Sequence, residues 1–162
     1  MEDIQEKVAK KEYLYELDTK DMQILEVLRQ HGEYTTRQIS KKTGLPATTI
    51  HNRIKKLKQE GIIKRFTIDI DNSRIGKGLL VYVLISVNLQ LLKEKKKRQL
   101  DIVKELRKLE YIVRTDIVSG GTDMVALVRV RDVKEFDKVL LEHIQLIEGI
   151  EKTQSLIVIH EE

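Results

Sequence analysis

The segment Thr35–Gly61, TTRQISKKTGLPATTIHNRIKKLKQEG, decides how this chain is read. It opens on Thr35-Thr36-Arg37-Gln38, which fits a capping box: the Thr35 hydroxyl accepts from the third helical amide, and Gln38 reaches back. The helix so started is short, with Ile39 inward, because Gly44 breaks it after Thr43. Pro46, the only proline in 162 residues, opens the next helix at the first-turn position, where its missing N–H is not needed. That helix runs to Gly61, a natural left-handed stop. A short helix and a longer one joined by a tight glycine-containing turn describe a helix-turn-helix.

Angles test the second of these helices. Stepping about 100° per residue, Ile54 and Leu57 fall within about 40° of Ile50, one narrow apolar stripe. Thr48, Asn52, Lys55, Lys56 and Gln59 lie opposite, between about 140° and 240° from it. A recognition helix needs this arrangement, since short polar side chains reach base edges in the major groove while lysines neutralise phosphates. Asn52 can pair with adenine through two hydrogen bonds, and His51 can donate or accept at a base edge. Thr48 and Thr49 suit a thymine methyl or a phosphate. Arg53 lies on the border of the apolar stripe, with its stem for packing and its head for a phosphate. Lys41, Lys42, Lys55, Lys56 and Lys58 are candidates as a group for the DNA backbone, and Arg37 for one phosphate at the start of its helix.

Working outward, Asp18 and Thr19 can cap a preceding helix in which Met22, Leu25 and Leu28 share a face beside Ile24, ended by Gly32. Residues 1–17 have weak helical spacing at Ile4 and Val8 and read as a frayed helix or tail. Downstream, Ile62–Ile68 reads as a short strand and Asp71–Lys77 as a polar hinge. Leu79–Val87 is almost continuously apolar, a strand buried on both faces. Leu100, Val103, Leu106 and Leu109 mark a helix; Ile112–Val118 and Met124–Val130 are strands joined by Ser119-Gly120-Gly121-Thr122-Asp123. Phe136, Val139, Leu140, Ile144 and Ile147 share a helical face that ends at Gly149, and Ile150–Ile159 closes as a strand.

The order β-α-β-β-α-β is that of a ferredoxin-like sandwich. The fold class is therefore α+β: a winged-helix-like helix-turn-helix followed by that sandwich. The domains are an extension over 1–17, the helix-turn-helix over 18–61, a strand and hinge linker over 62–77, and the sandwich, an oligomerisation domain, over 78–162. The sheet face left bare by the two helices is expected to meet a second subunit.

Charge agrees with this division. The chain carries +4 overall, but residues 18–77 carry +6 and residues 99–162 carry −4. Between Arg37 and Arg65 nine cations face a single acid, Glu60. A basic half joined to an acidic half suits a polyanion-binding module carried on something else. Lys93–Arg98 is a separate basic run, read as a solvated loop at the start of a helix. Cysteine is absent, which excludes disulfides, thiolate catalysis and sulfur-rich zinc sites. His31, His51, His143 and His160 show no metal-ligand spacing, and no phosphate loop or nucleophile–base signature appears. No cofactor, metal or enzymatic activity is expected. No apolar run is long enough for a membrane span and residues 1–30 lack a signal-peptide pattern, so a cytoplasmic protein is expected.

The set of motifs resembles the Lrp/AsnC (leucine-responsive, feast/famine) transcription regulators, most closely archaeal ones. Leu17-Asp18, Asp21 and Ile24-Leu25 stand in the family's opening motif. Gly44-Leu45, Thr48-Thr49-Ile50, Arg53-Ile54, Leu57 and Gly61-Ile62-Ile63 follow its recognition segment in register. Gly120-Gly121-Thr122-Asp123 corresponds to the family's Gly-x-Tyr-Asp turn, and Gly149-Ile150, Thr153 and Ser155 to its closing strand. Two departures stand out: Pro46 replaces the usual serine before the recognition helix, and Thr122 replaces the turn tyrosine.

The resemblance implies a sequence-specific regulator on pseudo-palindromic double-stranded DNA. It implies homodimers that build higher oligomers up to octamers, contact with the transcription machinery, and a small-molecule effector such as an amino acid. The implied effector site comprises Gly120, Gly121, Thr122, Asp123, Thr153 and Ser155, with Asp123 or Asp116 holding an ammonium group. The rival reading is a metabolite-binding regulatory module acting through protein partners. An RNA-binding sandwich of the same strand order is disfavoured, since Met124–Val130 has no aromatic residue to stack a base.

Overall fold

The computed structural model describes residues 15–161, so the reading at Ile4 and Val8 lies outside the described residues. The chain forms two compact units that divide between Asp69 and Ile70. The first holds α1 (Thr19–Gln30), α2 (Thr36–Thr43) and α3 (Ala47–Gln59). Each helix start is legible in its residues. Asp18 and Asp21 make a reciprocal capping box on α1, and Thr35 and Gln38 make one on α2. Gly44 leaves α2 at φ 73°, a left-handed cap that any β-carbon would strain. Ile24, Ile39 and Ile50 are fully buried where the helices meet, flanked by Val27, Leu28, Tyr34, Leu45 and Ile54.

Two expectations are corrected in this unit. Pro46 is the N-cap of α3 and not its first-turn residue: its ψ of 139° is extended, and it offers no side-chain cap. Ile62–Ile68 forms no strand. A strand exists only in a ladder, and among the described residues of this unit no second strand is present to accept one. The segment is tied back at its start, where the Ile63 N–H donates to the Leu57 carbonyl at 3.0 Å.

The second unit begins with a 3₁₀ turn, Asn72–Ile75, capped by Asp71. It continues as β1 (Leu79–Val87), α4 (Leu89–Glu94), α5 (Gln99–Leu106), β2 (Ile112–Ile117), β3 (Met124–Val130), α6 (Val133–Val139) and β4 (Ile150–Ile157). The sheet order is β2-β3-β1-β4 with every pair antiparallel. The β-α-β-β-α-β sandwich is thus observed, with α4 as an added turn of helix. Alternation sorts β1. Val81, Val83, Ile85 and Val87 join Ile102, Val103, Leu106, Met124, Phe136, Val139 and Ile144 in the core. On the other face Tyr82 is 42% exposed, and Leu84 and Ser86 are half-buried. Leu79–Val87 is therefore buried on one face of this chain, not on both.

Two local departures have physical causes. After α6 the chain makes a π turn, Leu140–Ile144, with the Gln145 N–H donating to the Leu140 carbonyl at 2.9 Å. The extra residue moves Ile144 back onto the core after Val139. The Lys93–Arg98 run joins two helices: Lys93 and Glu94 end α4, where a cation complements the dipole, Lys97 pairs with Glu148 at 2.7 Å, and Arg98 is the N-cap of α5. The Arg98 backbone N–H then meets Asp101 at the start of α5.

Candidate nucleic-acid interface

The apolar stripe of α3 is turned fully inward, with Ile50 and Leu57 completely buried. That fixes the opposite face outward. Thr48, His51, Asn52, Lys55, Lys56 and Gln59 are all exposed, while Thr49 is half-buried. Among the described residues Thr48, His51, Asn52 and Lys55 have no side-chain hydrogen bond or ion pair, so their polar groups are free for a ligand. Arg37 and Lys41 on α2 are exposed and equally unengaged among the described residues. Lys42 is partly committed: its Nζ lies 3.3 Å from His31 Nε2, and His31 stacks on Tyr34.

Arg53 behaves differently from its expected role. Its Nη1 donates to Asp18 Oδ2 at 2.7 Å and to Asp21 Oδ1 at 2.8 Å. Asp21 is 1% exposed, so this is a charge taken out of water and matched inside the unit. Through Nη1 the guanidinium ties α3 to the start of α1, while its Nη2 and Nε make no bond among the described residues. Hydrogen bonding to Asp21 and then Asp18 holds the Arg53 pKa above its ordinary value. The Asp18 carboxyl is held below its own, chiefly by the Asp21 N–H and next by Arg53.

In the second unit the expected effector residues separate. Gly121 and Thr122 line an open cavity of about 380 Å³ with Leu84, Ser86, Lys152 and Gln154, on the sheet face not covered by helices. Asp123 points the other way. Its Oδ2 accepts the Val87 N–H at 2.9 Å and its Oδ1 accepts Gln99 Nε2 at 3.3 Å, so both oxygens are engaged within the unit. Thr153 and Ser155 oppose Ile85 and Val83, which places them on the helix side of β4. Thr153 Oγ1 accepts from Gln145 Nε2 at 2.8 Å. Asp116 opposes Val125 on the uncovered face, but Arg114 Nε lies 2.7 Å from it. Gly120, at φ 141°, serves the turn and does not line the cavity. Lys152 and Gln154, which line the cavity, were not singled out from the sequence; they alternate with Thr153 and Ser155 along β4 and so stand on the opposite face.

Comparison with known proteins follows the same division. A winged helix-turn-helix DNA-binding family matches residues 17–64, and the Lrp/AsnC ligand binding domain matches residues 81–162. The chain belongs to the Lrp/AsnC family. Among its relatives, the HTH-type transcriptional regulator FL11 of Pyrococcus furiosus is 35% identical over 143 residues, 88% of this chain and 89% of that protein. The FL11 regulator of Pyrococcus horikoshii shows the same identity and coverage. Of solved structures, AsnC of E. coli superposes with a TM-score of 0.78 at 26% identity, covering 91% of this chain and 95% of its own. A regulator of Neisseria meningitidis in complex with L-Met shares the fold, with a TM-score of 0.81 at 23% identity, covering 90% of this chain and 92% of its own.

As a member of the family the chain is a transcription regulator with a DNA-binding unit and a ligand-binding unit. The family tyrosine of the turn is here Thr122, whose Oγ1 donates to the Ile85 carbonyl at 2.8 Å. That hydroxyl fastens the turn to β1. Among the described residues no helix is long and apolar enough to cross a membrane.

Proposed function

We propose that this regulator reads a pseudo-palindromic duplex with α3 in the major groove and acts on transcription from there. Thr48, Thr49, His51 and Asn52 face base edges, while Arg37, Lys41, Lys55 and Lys56 meet phosphates. The observation that carries the reading is the outer face of α3, polar or cationic and exposed, with no hydrogen-bond or ion-pair partner at Thr48, His51, Asn52 or Lys55 among the described residues, above a stripe whose Ile50 and Leu57 are fully buried. Two copies joined through the uncovered sheet face, where Tyr82, Leu84, Leu127 and Leu156 stand, would set two recognition helices on one site. Such homodimers then assemble further. The protein works in the cytoplasm, alongside the transcription machinery.

The cavity floored by Gly121 and Thr122 is the effector site in this reading, and an amino acid or similar small metabolite is its occupant. Such a ligand changes DNA binding only through different affinity for two assembly states. The test is selection of sites from a random duplex pool, with affinity followed against salt. A two-fold-symmetric consensus whose affinity falls steeply with salt is expected. Failure to enrich any symmetric site would overturn sequence-specific reading and favour regulation through protein partners. Retention of full specificity by Asn52→Ala would remove Asn52 from the base contacts.

A further inference from the structure

Tyr15 stands before the first helix, outside the helix-turn-helix, yet it is coupled to the recognition helix at two points. Its hydroxyl donates to Asp21 Oδ2 at 3.0 Å, the oxygen that Arg53 leaves free. Its ring receives Lys56, whose Nζ sits 4.7 Å from the ring centroid. Arg53 and Lys56 are three residues apart on α3, so both side chains leave the helix toward the start of α1. We propose that Tyr15 is a positioning residue of the DNA-binding surface: anchored on buried Asp21, it holds the Lys56 ammonium at the rim of the recognition face for a backbone phosphate.

The physical case rests on what an unsupported lysine lacks. A free lysine spreads over many rotamers and must be ordered when it meets a phosphate. A tyrosine has two side-chain torsions, and here the bond to Asp21 fixes the ring. A cation over the face of that ring is attracted to its quadrupole and keeps its N–H donors for an anion. Among the described residues Lys56 has no carboxylate partner that a phosphate would have to displace. Lys55, its neighbour, stands on the same outer face with no aromatic beneath it among the described residues and serves as an internal comparison. Burial, and next the bond to Asp21, raise the Tyr15 pKa, so the phenol stays protonated as that donor requires.

The experiment uses the full chain and a short duplex of arbitrary sequence, with affinity measured across a series of KCl concentrations. Lys56→Gln should weaken binding and lower the salt slope by about 0.9, the value for one lost phosphate contact. Tyr15→Leu should lose about threefold in affinity, the scale of one exposed cation–π contact, and move the slope toward that of Lys56→Gln. Tyr15→Phe keeps the ring but loses its anchor on Asp21, and its slope should fall between those of the wild type and Tyr15→Leu. The double variant Tyr15→Leu/Lys56→Gln should bind no worse than Lys56→Gln alone. An unchanged slope in Tyr15→Leu, with or without a lower thermal midpoint, would overturn the proposal, as would losses that multiply in the double variant. If Tyr15→Leu unfolds the first unit, Lys56→Gln is compared with Lys55→Gln: a larger loss at Lys56 supports positioning, and equal losses overturn it. A wild-type chain whose binding shows no salt slope would overturn the DNA-binding reading itself.

Discussion

The two units are held together by different means. The sandwich encloses fifteen buried apolar residues in one cluster, whereas the helix-turn-helix has three isoleucines at its centre. So small a core is supplemented by a polar clamp, in which Arg53 bridges Asp18 and Asp21 across the start of α1. A unit built mainly on burial is sensitive to lost volume. One built partly on a matched charge is sensitive to whatever unmatches it. The difference teaches that α3, the helix proposed to meet DNA, is held to α1 in part by ionic chemistry, while the sandwich is held by packing.

The sharpest way to break this contrast is to make the same size of deletion in each. Ile85→Ala, at a fully buried position, should destabilise the sandwich by about 3–4 kcal/mol, read from chemical denaturation with segment-resolved hydrogen exchange. Protection of α1 to α3 should be retained. Arg53→Ala removes little apolar volume but leaves Asp21 buried and unpaired. The first unit should lose roughly 5–10 °C of thermal midpoint, with the sandwich unmoved. If Arg53→Ala were as mild as an ordinary surface change, the clamp would not be what supplements the small core.

A smaller effect of opposite sign belongs to the sandwich. Thr115 Oγ1 is buried with no hydrogen-bond partner among the described residues. Thr115→Val should raise stability by about 1 kcal/mol, since it replaces an orphaned hydroxyl by a methyl group of the same shape. Acid gives the finest test of the clamp. The Asp18 carboxyl titrates below its ordinary value when folded, so the stability it lends is present above about pH 4 and is lost as pH falls through the folded value. Hydrogen exchange of α1 should rise over that window in the wild type, and Asp18→Asn should flatten the rise.

Sequence reading went furthest where a period was long enough to be unambiguous. Ile50, Ile54 and Leu57 fix the face of α3, and the alternation Met124–Ala126–Val128–Val130 fixes the buried face of β3. A helical wheel gives direction but not destination, which is why Arg53 was assigned a phosphate: Asp18 and Asp21 lie 35 and 32 residues earlier. Asp18 was read as a helix cap, and nothing local signalled that it and Asp21 were also counter-ions. The effector residues were likewise chosen without sight of their distant partners. Asp123 was read as a ligand for an ammonium, yet a carboxylate beside a strand end has backbone amides within reach, and the Val87 N–H claimed it. Ile62–Ile68 has the composition of a strand, but pairing depends on a partner that composition cannot supply.

The turn Gly120–Asp123 has one further consequence. It straddles the sheet: Gly121 and Thr122 form the floor of the cavity on one side, while Asp123 grips Val87 and Gln99, the first residue of α5, on the other. A molecule that seats in the cavity and shifts this turn must therefore tug on a helix it never touches. In mechanical language the turn is a rocker with its pivot at the Ile85 carbonyl, where Thr122 Oγ1 and the Asp123 N–H both attach. The chain thus contains a short lever from one surface of its ligand-binding unit to the other, made of two adjacent side chains and needing no loop to close.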